Sequence, residues 1–121
     1  MPTTRDSLGE FEQFLLLAIA HLGDDAYGVT IRQEIERRTN REIAIGALYT
    51  ALDRLERKSF IRSRMSEPTH ERGGRSKRYF RLQTTGAAAL RLSRDRMARM
   101  WEGLTPTLRP TLQPSEKKVR S

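Results

Sequence analysis

Cysteine is absent from the chain, which removes disulfides, thiolate zinc sites and cysteine nucleophiles together. Histidine is nearly absent as well. His21 and His70 stand far apart in sequence, with no cluster of carboxylates or imidazoles beside either. They read as a satisfied core imidazole and a loop residue, not as metal ligands. No glycine loop has P-loop spacing, so there is no candidate active site; neither an enzyme nor a cofactor is expected. The longest apolar run, Phe14 to Ala20, is too short to span a bilayer. The stretch MPTTRDSLGEFEQ lacks a basic region followed by an apolar core, so a soluble, cytoplasmic protein is expected. Acidic charge is in deficit: 23 Lys and Arg face 15 Asp and Glu, giving a formal net charge of +8. Nucleic acid or an anionic membrane surface are the partners such a balance suggests.

Apolar residues are also scarce. At 36% hydrophobic and 31% charged, a lone monomer of 121 residues would have a modest core, and dimerisation is the natural remedy. What apolar content there is follows clear periods. Residues 8–22, LGEFEQFLLLAIAHL, predict a helix that Asp6 or Ser7 could cap, apolar nearly all round and hence buried on most sides. After the turn signal Gly23-Asp24-Asp25, residues 26–39 predict a second helix. Tyr27, Ile31 and Ile35 form its buried stripe, with Glu34 and Arg38 paired on its wet side. A third helix is predicted over about 45–58. Ile45, Leu48, Leu52 and Leu55 form one face; Ala47, Thr50, Ala51 and Arg54 form the other, small and polar enough to approach a second surface closely.

The period then changes to two. Ile61, Ser63 and Met65 alternate with Arg62 and Arg64, and Phe80 and Leu82 alternate with Tyr79 and Arg81. This predicts an antiparallel hairpin whose long tip contains Pro68, Gly73 and Gly74. Thr84 or Thr85 could cap a last helix over 87–104, where Leu90, Met97 and Leu104 lie seven apart and Met100 and Trp101 lie beside them. The remainder, TPTLRPTLQPSEKKVRS, has three prolines and predicts a disordered basic tail.

Helix, helix, helix, hairpin, helix is the order of a winged helix-turn-helix, mainly α with a small antiparallel hairpin. The expected division is a DNA-binding domain at 1–84, a dimerisation helix at 85–104 and the tail at 105–121. In this architecture the third helix enters the major groove and the hairpin is the wing. Residues 61–82 carry seven Lys or Arg and two Glu, a local net of +5. The wing arginines are expected to neutralise phosphates, while Gly73 and Gly74 let the backbone approach them.

The stretches LGEFEQFLLLAIAHL, AYGVTIRQEIE, IGALYTALDRLERKSFI and ERGGRSKRYFRLQTTG together resemble the PadR family of bacterial transcriptional regulators. The most specific features are Gly46, Tyr49 three residues later, the following Leu-x-x-Leu seam and the glycine-rich basic wing. The resemblance implies a homodimer built by the first and last helices that represses a promoter and releases it on a signal. The short last helix is similar to that of the subgroup with a small C-terminal domain. Family members that bind aromatic drugs stack them on a tryptophan of this helix, so Trp101 is the ligand-contact residue the resemblance implies and an aromatic small molecule the effector. Two departures stand out. Ala44 replaces the usual Ser at the start of the third helix, where it cannot supply a capping oxygen. Ser59 replaces the usual Gly just after it, a strained choice if the backbone there is left-handed.

The DNA-binding residues expected on this reading are Arg41, Ala47, Tyr49, Thr50, Arg54, Arg72, Gly74, Arg75 and Lys77, with double-stranded DNA as partner. Tyr49 could equally pack at the helix–helix junction. The expected dimer interface is Phe11, Phe14, Leu15, Leu90, Met97, Met100, Trp101 and Leu104. The function expected is a sequence-specific DNA-binding regulator, a repressor on a pseudo-palindromic operator. The competing reading is a winged helix serving only as a protein-interaction module, which would need no basic wing. A membrane-surface role would need a basic amphipathic helix, whereas here the basic residues lie mainly on the hairpin.

Overall fold

A computed structural model describes residues 7–67 and 76–104. Asp6, His70, the wing-tip residues Arg72, Gly73, Gly74 and Arg75, and the tail from 105 onward lie outside the described residues. The elements are α1 (Glu10–Leu22), α2 (Gly28–Thr39), α3 (Ile45–Arg57), β1 (Ile61–Met65), β2 (Arg78–Leu82) and α4 (Thr84–Trp101). A single 3₁₀ turn, Gly23–Asp25, joins α1 to α2. This is the helix order and two-stranded antiparallel sheet of a winged helix-turn-helix.

Local chemistry sets each boundary. The N-cap of α1 is Gly9, not Asp6 or Ser7, and its N–H donates to Glu12 Oε1 at 3.0 Å. Thr30 does the same for α2, accepting the Tyr27 N–H at 3.0 Å. That helix ends at Asn40, whose left-handed backbone (φ 59°) suits an Asn C-cap. Ala44 caps α3 with no side-chain bond, as its methyl dictates; only its carbonyl serves, accepting the Leu48 N–H at 3.0 Å. Ser59 is left-handed at φ 67°, so the strain expected of a non-glycine there is present. The last helix starts earlier than its apolar spacing suggests. Gln83 is its N-cap, and Thr84 and Thr85 lie in its first turn, where the Thr85 hydroxyl bonds the Ser59 carbonyl.

The strands pair in the register Ile61↔Leu82, Arg62↔Arg81, Ser63↔Phe80, Arg64↔Tyr79 and Met65↔Arg78. A short third segment joins the outer side of β2: Phe80 N–H donates to Ala26 O at 2.8 Å and Tyr27 bridges Tyr79. The core gathers Leu15, Leu16 and Ile19 of α1, Ile31 and Ile35 of α2, Leu48, Leu52 and Leu55 of α3, and Ile61 and Phe80 of the hairpin. The α4 helix closes on this body through Gly86, where a Cβ would collide with the Phe60 carbonyl oxygen. Among the described residues no helix is long and apolar enough to cross a membrane.

On α2, Glu34 receives hydrogen bonds from Arg38 and Arg37, which hold its carboxyl down at about 2 against a usual 4.5. A depressed carboxylate stabilises the fold fully above its unfolded pKa and loses that contribution as pH falls through its folded one. Glu34→Gln should therefore lower the denaturant midpoint at pH 7, and the gap from wild type should close between about pH 4.5 and pH 2. Denaturant unfolding followed by circular dichroism at stepped pH reads this directly.

Candidate nucleic-acid interface

Helix α3 turns Leu48, Ala51, Leu52 and Leu55 into the core. Ala51, expected on the opposite face, lies three residues from Leu48 and four from Leu55 and so falls on the buried stripe. Ile45 shows the reverse: it sits in the first turn, past the edge of the core, and is 45% exposed. The outward face is Gly46, Ala47, Thr50 and Arg54, all exposed, with Tyr49 at its margin. Small side chains along two turns leave this helix without bulk that would hold a second surface away.

Tyr49 packs against the start of α2. A Cβ on Gly28 would overlap the Tyr49 hydroxyl oxygen and lie 2.6 Å from Cζ. Gly28 is thus required by Tyr49, and the two helices of the motif are locked at a point where backbone meets phenol. The connection between them is fixed by Glu36, whose Oε2 accepts the Ile43 N–H at 2.9 Å and Arg32 Nε at 3.4 Å. The Ile43 bond, aided by Arg32, keeps that carboxyl below its ordinary range.

Arg41, just before α3, and Arg54, on its outward face, are each already engaged by α1. Arg41 lies 5.7 Å from the centre of the Phe14 ring and 3.3 Å from Glu10. Arg54 approaches Glu12 at 3.9 Å, and Lys58 approaches the same carboxylate at 3.5 Å. Both arginines are about half exposed, Glu10 is well exposed and the Arg54–Glu12 approach is too long for a hydrogen bond, so both guanidinium groups can exchange readily for another anion.

The outer face of the hairpin is a run of cations over aromatic rings. Lys77 lies 4.5 Å from the Tyr27 ring centre and Arg64 5.1 Å from that of Tyr79, while the two rings meet edge-on at 5.3 Å. Lys77 N–H donates to Ser66 Oγ at 2.8 Å, and Ser66 N–H returns a bond to the Lys77 carbonyl at 2.8 Å. The aromatic part of this face escapes sequence reasoning; the signal is Tyr27, whose parity with Ile31 hides its place beside the sheet.

One wing arginine departs from the expectation that the wing's positive charge faces outward to phosphates. Arg78 shares the parity of Phe80 and Leu82 and faces inward, 3.1 Å from Asp53 Oδ1 and 2.7 Å from Glu56 Oε1 on α3. Arg81 reaches Asp24 at 3.3 Å, with both groups well exposed. His21 also differs from its reading: it is exposed on α1, with Nδ1 3.5 Å from Arg38, rather than a core imidazole. Among the described residues no group of three His, Cys, Asp or Glu could hold a metal ion.

The residues named for a dimer interface divide. Leu15 is fully buried within its own chain, so it has no surface to offer; it sits one position from Leu16 on the face that α2 and α3 cover. Phe11, Phe14 and Leu90 are partly buried and pack on the core. Met97, Met100, Trp101 and Leu104 are exposed, Met100 to 75%. Leu17, on the helix expected to be buried on most sides, is exposed as well. Together with Gln13, Leu90, Arg94, Met97 and Trp101 it lines a groove of about 760 Å³ between α1 and α4.

The transcriptional regulator PadR-like family matches residues 16–92, well over half of the chain. The chain belongs to this family. Its structure is similar to that of a PadR-like transcription factor from Bacteroides fragilis (22% identity, TM-score 0.66, covering 82% of this chain and 88% of that one). It is also similar to a PadR family transcription regulator from Clostridium difficile (24% identity, TM-score 0.64, 82% and 99% covered). A PadR-like transcriptional regulator from Bacillus cereus is a third (15% identity, TM-score 0.65, 83% and 92% covered). At these identities the likeness establishes the fold. No curated protein matches the chain. Family and neighbours alike are transcription regulators, not enzymes. PadR regulators bind DNA.

Because Gly28 makes room for Tyr49, Gly28→Ala should destabilise the fold by about 1–3 kcal/mol, the usual cost of overpacking. In a Tyr49→Ala background that cost should largely disappear, since the clashing phenol is gone. Urea unfolding of the two single variants and the double variant tests the pairing; additive losses would show that Gly28 and Tyr49 do not meet.

Proposed function

We propose that this PadR-like chain is a cytoplasmic repressor that binds a pseudo-palindromic operator as a homodimer and is released by an aromatic small molecule. The observation that carries the DNA part is the exposed small-residue face of α3, in a chain whose hairpin also carries an exposed cationic face. In this reading Ala47, Thr50 and Arg54 meet base edges, and Arg41 and Lys77 meet phosphates. Arg72, Gly74 and Arg75 are assigned to phosphates from the sequence alone. Tyr49 packs on Gly28 and offers its partly exposed ring edge to the same surface. Residues 1–84 are the DNA-binding unit and α4 is the dimerisation element.

The dimer reading is supported by the apolar surface along α1 and α4. Leu17, Met97, Met100, Trp101 and Leu104 are all exposed in the single chain. At about 25 cal/mol per Å², covering even a few such side chains is worth several kcal/mol before the cost of association. Docking α4 of one copy against α1 of another would cover them, and the groove that holds Trp101 is where a flat aromatic ligand would lie.

Binding to a duplex should fall about 10³–10⁵-fold between 50 and 200 mM salt if a dimer contacts about 6–10 phosphates. Lys77→Ala should weaken every duplex alike and flatten that salt slope, because phosphate contacts carry no sequence information. Thr50→Ala and Arg54→Ala should instead reduce discrimination between operator and scrambled DNA, by about 1–3 kcal/mol where a bidentate base contact is lost. Fluorescence anisotropy across a salt series reads both effects; a flat salt response would leave only the protein-interaction module.

Trp101→Ala should shift the monomer–dimer equilibrium toward monomer in sedimentation velocity at micromolar concentration. Operator affinity should fall with it, since half-sites about 34–36 Å apart need two reading helices. A stable wild-type monomer under those conditions would refute the interface.

A further inference from the structure

The inward turn of Arg78 leaves it no part in the outer cationic face, and its surroundings give it another task. Its guanidinium bridges two carboxylates one turn apart on α3, Asp53 at 3.1 Å and Glu56 at 2.7 Å. Its Nε donates to Ser63 Oγ at 3.3 Å. Ser63, on the opposite strand, closes the ring: its hydroxyl donates to Glu56 at 2.9 Å and its N–H to Glu56 Oε2 at 3.1 Å. One carboxylate of α3 is thereby bonded to both strands of the hairpin. Burial alone would push the Glu56 carboxyl up, but donation from Arg78 and Ser63 outweighs it and holds the group below its ordinary range.

The position of this ring along the hairpin matters. At the base, Ile61 and Phe80 are buried and Leu82 is packed on the core, so apolar contact anchors that end. Toward the tip the apolar contact ends, for Met65, opposite Arg78, is 61% exposed. Opposite Phe80 and Met65 respectively, Ser63 and Arg78 occupy the inward face of the hairpin, and there it meets α3 through polar and charged groups. Half-buried, multiply hydrogen-bonded charge pairs of this kind are directional, whereas apolar contact is not.

We infer that Arg78 is a positioning residue that clamps the wing to the reading helix through Asp53, Glu56 and Ser63, so that hairpin and α3 meet a duplex as one rigid unit. This rests on the DNA-binding reading above, but the clamp can be tested apart from it. The chain has no cysteine, so spin labels can be placed at Arg57→Cys on the end of α3 and Glu67→Cys on the wing, both exposed. In the free protein the clamp predicts one narrow distance distribution. Arg78→Ala and Glu56→Gln should broaden it, Arg78→Lys should broaden it less, and Asp53→Asn, which removes the more exposed arm, offers a milder variant if the others fail to fold.

On DNA, the unlabelled Arg78→Ala variant should lose roughly 5- to 30-fold in operator affinity, the factor that about 1–2 kcal/mol of lost wing positioning represents. Its salt slope should stay that of wild type, whereas each true phosphate contact removed lowers the slope by about 0.9. An unchanged distance distribution in all four variants would overturn the clamp. So would a slope that drops as it does for Lys77→Ala, because Arg78 would then be a phosphate ligand. If wild type retains no duplex, the regulator reading falls, and the distance distributions still decide the clamp.

Discussion

Leu15, Leu16 and Ile19 are sealed from solvent on α1, and α2, α3, the hairpin and α4 all pack against that helix. Every other arrangement in the molecule follows from this burial. Fully covering a Leu or Ile side chain is worth about 1.5–3 kcal/mol, so the three together set a large share of the drive to fold in a chain with few apolar residues. Because α1 is covered on several sides, α3 can use only one stripe, Leu48, Ala51, Leu52 and Leu55, to reach it. The remaining face is left outward by default, and that face is the one made of Ala47, Thr50 and Arg54.

Charge is divided with similar economy. The hairpin's nominal positive excess is not a single patch. Arg64 and Lys77 lie over tyrosine rings on the outside, where their charge stays open to a phosphate. Arg78 is committed inward to two carboxylates. Arg41 and Arg54 sit between these extremes: Arg41 pairs with a well-exposed Glu10, and Arg54 stands 3.9 Å from the largely covered Glu12, beyond hydrogen-bond reach. Exchanging an exposed pair for a phosphate costs little, whereas opening the Arg78 ring would strand partly buried carboxylates. Exposure and hydrogen-bond number, rather than formal charge, therefore sort the cations into those available to an anion and those that hold the fold.

Most of the fold is legible in the sequence because period and parity are strong signals. The switch from a period near 3.6 to a period of two locates the hairpin, and β1 has the predicted bounds. The misses share a cause: hydrophobicity is read without direction. Leu15 and Leu17 are the same residue type two positions apart on one helix, yet one is buried and the other exposed, because only the packing of α2, α3 and α4 decides which side of an all-apolar helix is covered. Ala51 is misplaced for the opposite reason, its small side chain giving too faint a signal on a stripe of leucines. Arg78 is legible in principle, since its parity with Phe80 and Leu82 assigns it to the inner face; net charge, counted without parity, conceals it. The Gly28–Tyr49 lock joins two helices through a missing side chain, which no single-helix pattern can show.

Adjacent residues on α1 face different surroundings, and this gives the helix a second role. Gln13 and Leu17 line the groove shared with α4. Glu12 points the other way, bonding the Gly9 N–H with one oxygen and meeting Lys58 and Arg54 at the end of α3 with the other. A helix is stiff over three turns, so α1 cannot tilt or rotate at the groove without carrying Glu12 relative to α3. Coupling between distant surfaces needs a rigid element with partners on both, and α1 is one. In the proposed dimer, a second copy lying in the groove would contact the same helix whose acidic first turn meets Arg41 and Arg54. Arg41 and Arg54 are loosely held at that turn, by an exposed pair with Glu10 and a 3.9 Å approach to the largely covered Glu12, while the buried leucines hold the rest of the helix in place.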